Sequence, residues 1–195
     1  MKVISIATLT AVAALMSPMV QAEPETYVLD TKGSHAFIQF KIQHLGYSWL
    51  LGQFNEFDGQ FILDEDKIEN SSVQVDIKTT SVDSNHAERD KHLRGEDFLN
   101  TEKFPTAKFV SSRVEKIDSK KGKIHGNLTL NGVTKPVVLE TNYIGGGKDP
   151  WGAYRQGFEA TTQFKLKDYN IDYDLGPASQ IVRIYISAEG IRQKQ

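Results

Sequence analysis

The chain of 195 residues contains no cysteine. That absence excludes disulfides, cysteine-ligated zinc and thiol catalysis together. Charge of one sign is also lacking: Lys and Arg number 23 against 25 Asp and Glu, for a formal net charge of −2. A nucleic-acid surface needs a clustered basic surplus, so no nucleic-acid partner is expected. No run of about 20 apolar residues is present, the length a membrane-spanning helix requires, and stable membrane insertion is not expected. Low-complexity tracts, internal repeats and linkers are missing as well, so a single domain is expected over residues 23–195.

What is present begins with residues 1–22. Lys2 gives a small positive start, Val3 to Leu15 is almost uninterruptedly apolar or small, Pro18 breaks the run, and Val20-Gln21-Ala22 offers the small residues a signal peptidase reads. A cleaved signal peptide is expected here, with export of the remainder.

Beyond it, period-two alternation dominates. Ala36, Ile38, Phe40 and Ile42 share one face against Gln39, Lys41 and Gln43, and Val73, Val75 and Ile77 repeat the pattern. Phe158, Ala160, Thr162, Phe164 and Leu166 follow, then Val182, Ile184 and Ile186. One apolar and one polar face per strand is the signature of antiparallel strands buried on one side. The expected strands are 35–44, 52–63, 72–79, 106–116, 122–131, 134–144, 156–168 and 180–190, with a short addition near Tyr27. Asn131-Gly132 between Leu130 and Val133 predicts a two-residue type I′ hairpin turn. Gly145-Gly146-Gly147 reads as a flexible hairpin loop, since the spacing of a phosphate-binding loop is not there. About eight short strands predict a sandwich or a closed all-β barrel, and closure removes exposed edges.

One segment breaks the rhythm. With Ser84 or Asn85 as N-cap, residues 86–94 predict a helix stopped by Gly95, and residues 96–100 a further helical turn. Phe98 and Leu99 are then available to plug one barrel end. Glu88 with His92, or Asp90 with Arg94, would make ion pairs along this helix.

Classical chemistry is thinly represented. His86 and His92 are six apart, which does not bring two ligands onto one helix face, and no metal is expected. Ser, His and Asp occur without any nucleophile-elbow context, so no catalytic residue is assigned. The five-fold set of histidines does include His44, which continues the apolar face of Ala36 to Ile42 and reads either as a group orienting a ligand at a barrel mouth or as a satisfied core histidine.

Several ordered motifs carry more weight. Gly33-Ser34-His35-Ala36-Phe37, His44-Leu45-Gly46-Tyr47-Ser48-Trp49, Gly126 to Val137 and Leu175-Gly176-Pro177-Ala178-Ser179-Gln180, together with the charged insert at 88–105, resemble the YceI family across residues 27–189. Members of that family are lipocalin-like periplasmic barrels that bind polyisoprenoid lipids. The resemblance implies an antiparallel lipocalin-like β-barrel of about eight strands with a helical insert near 85–101, no cofactor and no enzymatic activity. It implies that the interior holds a long isoprenoid tail such as that of a quinone or quinone precursor. Inward small residues (Ala36, Gly59, Gly126 and Ala160) would leave room between large side chains. The tail is expected against Phe40, Ile42, Phe57, Phe61, Phe109, Leu130, Phe164 and Ile184, with His44 and Trp49 flanking the mouth. An enzyme acting on such a lipid, or an interaction module with a filled core, remain alternatives, and a homodimer is left open.

Overall fold

The computed structural model describes residues 23–194. The expected signal peptide at 1–22 lies outside them. Eleven strands and one α-helix follow one another: β1 (Glu25–Leu29), β2 (Phe37–His44), β3 (Ser48–Phe54), β4 (Phe57–Leu63), β5 (Ser72–Lys78), β6 (Val82–Asp83), α1 (Ala87–Arg94), β7 (Thr106–Lys116), β8 (Lys121–Leu130), β9 (Val133–Lys148), β10 (Tyr154–Lys165) and β11 (Ile181–Arg192). All pairings are antiparallel, and eight of the strands close a ring in the order β1-β4-β5-β7-β8-β9-β10-β11 and back to β1. The all-β barrel is therefore closed.

The wall is bent at one place. The C-terminal end of β11 pairs with β1 through Gly190, Ile191 and Arg192, whereas residues 183–187 pair with β2. β1 and β2 are thus two halves of one wall position, interrupted at residues 30–36. The next position is split in the same way. Residues 52–63, expected as one strand, are two: β3 runs with β2, and β4 runs with β1 and β5. The break falls at Asn55-Glu56, whose amides turn aside to Ser81, the first to its carbonyl and the second to its hydroxyl. β3 also reaches back to Ser48, so Trp49 is a strand residue.

The Asn131-Gly132 turn forms as its chemistry dictates, with φ of 48° and 74°. The Gly145-Gly146-Gly147 loop does not form. These residues extend β9, and the turn is made by Asp149 with Gly152, where Asp149 accepts from the amides of Trp151 and Ala153. Glycine is needed there for space: a Cβ on Gly146 would lie 2.1 Å from the Gln156 amide oxygen packed across it.

The helical insert is shorter than expected. Asn85 takes a left-handed φ of 62°, and His86 is the N-cap, its Nδ1 accepting from the Arg89 amide. Gly95 ends the helix; residues 96–99 continue as turns rather than helix. The expected ion pairs along α1 are absent among the described residues. Asp90 is buried and accepts from both the amide and hydroxyl of Ser84, while His92 Nε2 lies 3.3 Å from Asp97. Burial explains the change: Asp90 finds fixed donors within reach and has no need of a mobile arginine. Phe98 and Leu99 are buried against Phe40, Val82, Leu130 and Ile171, so the insert covers one end of the barrel.

Candidate functional site

An internal cavity of about 720 Å³ runs along the barrel axis. At the end covered by α1 it is bounded by His44, Leu45, Arg89, His92, Leu93 and Leu175. At the opposite end its wall includes Glu65, Tyr143, Gln156 and the β7–β8 hairpin at residues 116–122. Between them the lining is almost wholly aliphatic and aromatic. This follows from strand parity, because one face of every strand carries the apolar set and closure turns that face inward.

The structure brings together nine of the ten residues singled out from the sequence. Phe40, Ile42, His44, Phe57, Phe61, Phe109, Leu130, Phe164 and Ile184 all line the cavity. Trp49 does not. It pairs with Gln43 across β2–β3, and its indole stands on the outer wall with Lys41 Nζ 5.0 Å and Arg183 4.9 Å from the ring centre. Nearness in sequence to His44 put Trp49 at the mouth; the pleat gives the inward place to Leu50 and Phe54 instead. Those two, with Phe158, Leu93 and Leu175, are among the lining residues beyond the ten. The parity of β3 relative to β2 was the signal that identifies Leu50 and Phe54.

Small inward residues act differently from the expectation. Gly126 leaves no void, because the Phe109 ring occupies its space, and Gly52 and Gly190 receive the rings of Phe40 and Phe61 in the same way. Glycine here lets aromatic rings lie flat along the wall, which keeps the axis open.

Polar groups gather at the end remote from α1. Gln156 is buried, and its Nε2 donates to Glu65 Oε1 at 2.8 Å. Tyr27 is fully buried, stacks on Phe61 with ring centres 4.9 Å apart, and donates to Glu25. Burial, helped by the Glu25 carboxylate, pushes its phenol well above the usual range. Burial likewise raises Tyr143, with Glu65 adding to the effect, and at the α1 end, beside Phe98 and Leu99, it raises Tyr169 to about 12. These tyrosines stay neutral at any physiological pH.

The displaced carboxylates face outward. Arg155 on the outer wall donates to Asp30 at 2.7 Å, Asp149 at 2.6 Å and Glu189 at 2.5 Å. His35 Nδ1 is 2.8 Å from Asp30. The His35 hydrogen bond, then Arg155, lower Asp30 to about 2, and Arg155 holds Asp149 down as well. Asp30, His35 and Glu189 place ligand-type atoms within 4.8 Å of one another, but Arg155 already bonds both carboxylates. The cluster ties the residue 30–36 interruption to the β9–β10 hairpin. Arg155 and Asp30 alone lie 125 residues apart in sequence, and no local pattern announces the cluster.

Comparison with known proteins agrees with this architecture. A YceI-like domain profile matches residues 27–190. Protein YceI of Escherichia coli O157:H7 is 58% identical over 182 residues, covering 93% of this chain and 95% of that protein. The crystal structure of the Campylobacter jejuni YCEI protein superposes with a TM-score of 0.71 at 31% identity, covering 80% of this chain and 91% of the other. A polyisoprenoid binding domain from Saccharophagus degradans, implicated in plant cell wall breakdown, shares the fold, with a TM-score of 0.62 at 15% identity over 86% of this chain and 98% of that one. With its closed barrel, its covering helix and a family match spanning almost every described residue, the chain belongs to the YceI family.

Proposed function

We propose that this protein is a periplasmic carrier that holds a long polyisoprenoid lipid, an isoprenoid quinone or its precursor, inside the barrel. The observation that carries the reading is the apolar cavity of about 720 Å³ along the axis. That volume lies in the range of roughly 300–1,000 Å³ typical of small-molecule sites. Each five-carbon unit moved from water into such a channel gains roughly 3–4 kcal/mol of gross transfer free energy, so a tail of several units outweighs the ordering costs. Retention by this route needs a continuous apolar wall and no catalytic residue. The strongly displaced carboxylates belong to the outer wall and not to the cavity, which favours binding over catalysis. The Saccharophagus relative by fold is named for polyisoprenoid binding, and the apolar run with Val20-Gln21-Ala22 supports export.

In this reading the tail contacts Phe40, Ile42, Phe57, Phe61, Phe109, Leu130, Phe164 and Ile184, and His44 stands at the α1 end of the channel. Native mass spectrometry of protein purified without detergent, followed by solvent extraction, tests it. The expected result is a co-purifying lipid with isoprenoid mass spacing; an empty barrel after overexpression in a quinone-producing host would overturn the reading.

A further inference from the structure

The β2–β3 hairpin and the part of β11 beside it differ from the rest of the surface. Residues 31–55 contain no Asp or Glu, and neither do residues 175–188. On their shared outer face Lys41 and Arg183 flank the Trp49 ring, and neither cation has a carboxylate within 4 Å among the described residues. At the hairpin tip Tyr47 is 87% exposed and Leu45 is 54% exposed, and Leu51 beside Trp49 is 63% exposed. Leu45 adopts a left-handed φ of 53°, which branched apolar residues rarely take, and this directs it outward at the cavity rim. The outer edge of β3 is bare apart from Gln53 and Phe54, which pair with β6. Strand edges exposed to water are ordinarily guarded by charge or proline. This one carries aromatic and aliphatic side chains.

We propose that this hairpin is a docking surface for an anionic lipid bilayer, with Leu45, Tyr47 and Trp49 entering the headgroup layer and Lys41 and Arg183 meeting its negative charge. Three observations select that occupant. Aromatic rings with a polar handle, next to cations and without carboxylates, match the chemistry of a negatively charged membrane interface. A second copy fits poorly, since a two-fold contact would set Lys41 and Arg183 against themselves. Finally, His44 and Leu45 border the cavity, so docking here places the α1-covered end of the channel on the bilayer from which an insoluble lipid must come. The inference rests on the carrier reading, and it adds where that lipid enters.

Sedimentation of the purified protein with vesicles tests the proposal. Vesicles of phosphatidylcholine mixed with phosphatidylglycerol should bind it, vesicles of phosphatidylcholine alone should bind it much less, and added salt should weaken the binding. The double variant Tyr47→Ser/Trp49→Ser should lose affinity about tenfold or more, and Lys41→Glu/Arg183→Glu should remove the preference for anionic lipid. Circular dichroism must show both folded, and native mass spectrometry reads their cargo separately. Loss of vesicle binding by a folded variant that also carries less lipid supports the proposal, and a variant that loses vesicle binding yet carries its full cargo shows that lipid does not enter here. Wild-type protein that ignores anionic vesicles, variants that bind them as well as wild type, or a dimer that buries the hairpin would each overturn it. If vesicles bind as expected but no isoprenoid lipid is ever found, the docking surface stands and the carrier reading fails.

Discussion

The ring of Phe109 lies over the backbone of Gly126, so that a Cβ there would fall 2.4 Å from Phe109 Cζ and 2.6 Å from the Val110 carbonyl oxygen. The ring can swing, but the carbonyl belongs to the β7–β8 ladder and cannot move without disturbing it. Gly126→Ala is therefore expected to destabilise the barrel by about 1–3 kcal/mol, the usual cost of overpacking. Urea unfolding checks this, and an unchanged midpoint would refute the close approach. Displacing Phe109 toward the axis should also narrow the channel, so the variant should select shorter tails.

Much of the barrel is written locally. Alternation in β2, β5, β10 and β11 and the Asn131-Gly132 turn fix which of their side chains point inward, and the eight residues expected against the tail all line the cavity. Parity is lost where a strand's register is unknown. Trp49 lay outside any expected strand, and only its pairing with Gln43 reveals that it faces out. The break at Asn55-Glu56 has no Gly or Pro to mark it; it exists because the wall must pass from one partner to another. The Arg155 cluster depends on three distant segments meeting, which no short pattern encodes.

Ile184 pairs with Phe40 and Thr162 and faces the cavity. Ile184→Glu places an unpaired carboxylate against the channel, at a cost that the protein escapes only by keeping the group protonated or by admitting water. Lipid retention should be abolished at neutral pH. Thr161→Lys on the exposed face of the neighbouring strand β10 should leave the cargo of the purified protein nearly unchanged. Extracted lipid per mole of folded protein distinguishes them, with circular dichroism as the control. Equal retention by both variants would remove the ligand from the interior.

The helical cover depends on Asp90, which is buried and accepts from the Ser84 amide at 2.8 Å and from the Ser84 hydroxyl. Asp90→Ala leaves the buried amide without its partner, a loss of about 1–3 kcal/mol. That loss falls on the segment from Ser84 to Thr101 and not on the ring of strands. Hydrogen exchange should accelerate there while β8 to β11 stay protected. Release of bound lipid should quicken in parallel, since Phe98 and Leu99 are held over the barrel end by this segment.

Strong acid should loosen the outer cluster. Asp30 is lowered from 3.8 to about 2 by hydrogen bonding to His35 and then to Arg155. Because the folded state holds its carboxyl below the unfolded value, Asp30 adds stability that is fully present above pH 4. That contribution, about 2 kcal/mol for a group this well buried, disappears as the pH falls from about 4 toward 2. Arg155→Met removes the cation shared by Asp30, Asp149 and Glu189. Both buried aspartates then lose their main charged partner, and their titration should move upward. The variant's melting temperature should accordingly begin to fall at a higher pH than that of the wild type on acidification. The interruption at 30–36 and the β9–β10 hairpin should loosen together, whereas the cavity lining, which Arg155 does not touch, should still hold its lipid at neutral pH. Melting curves recorded between pH 7 and pH 2 read the first effect. Coincident curves for the two proteins would show that the cluster contributes nothing to acid stability.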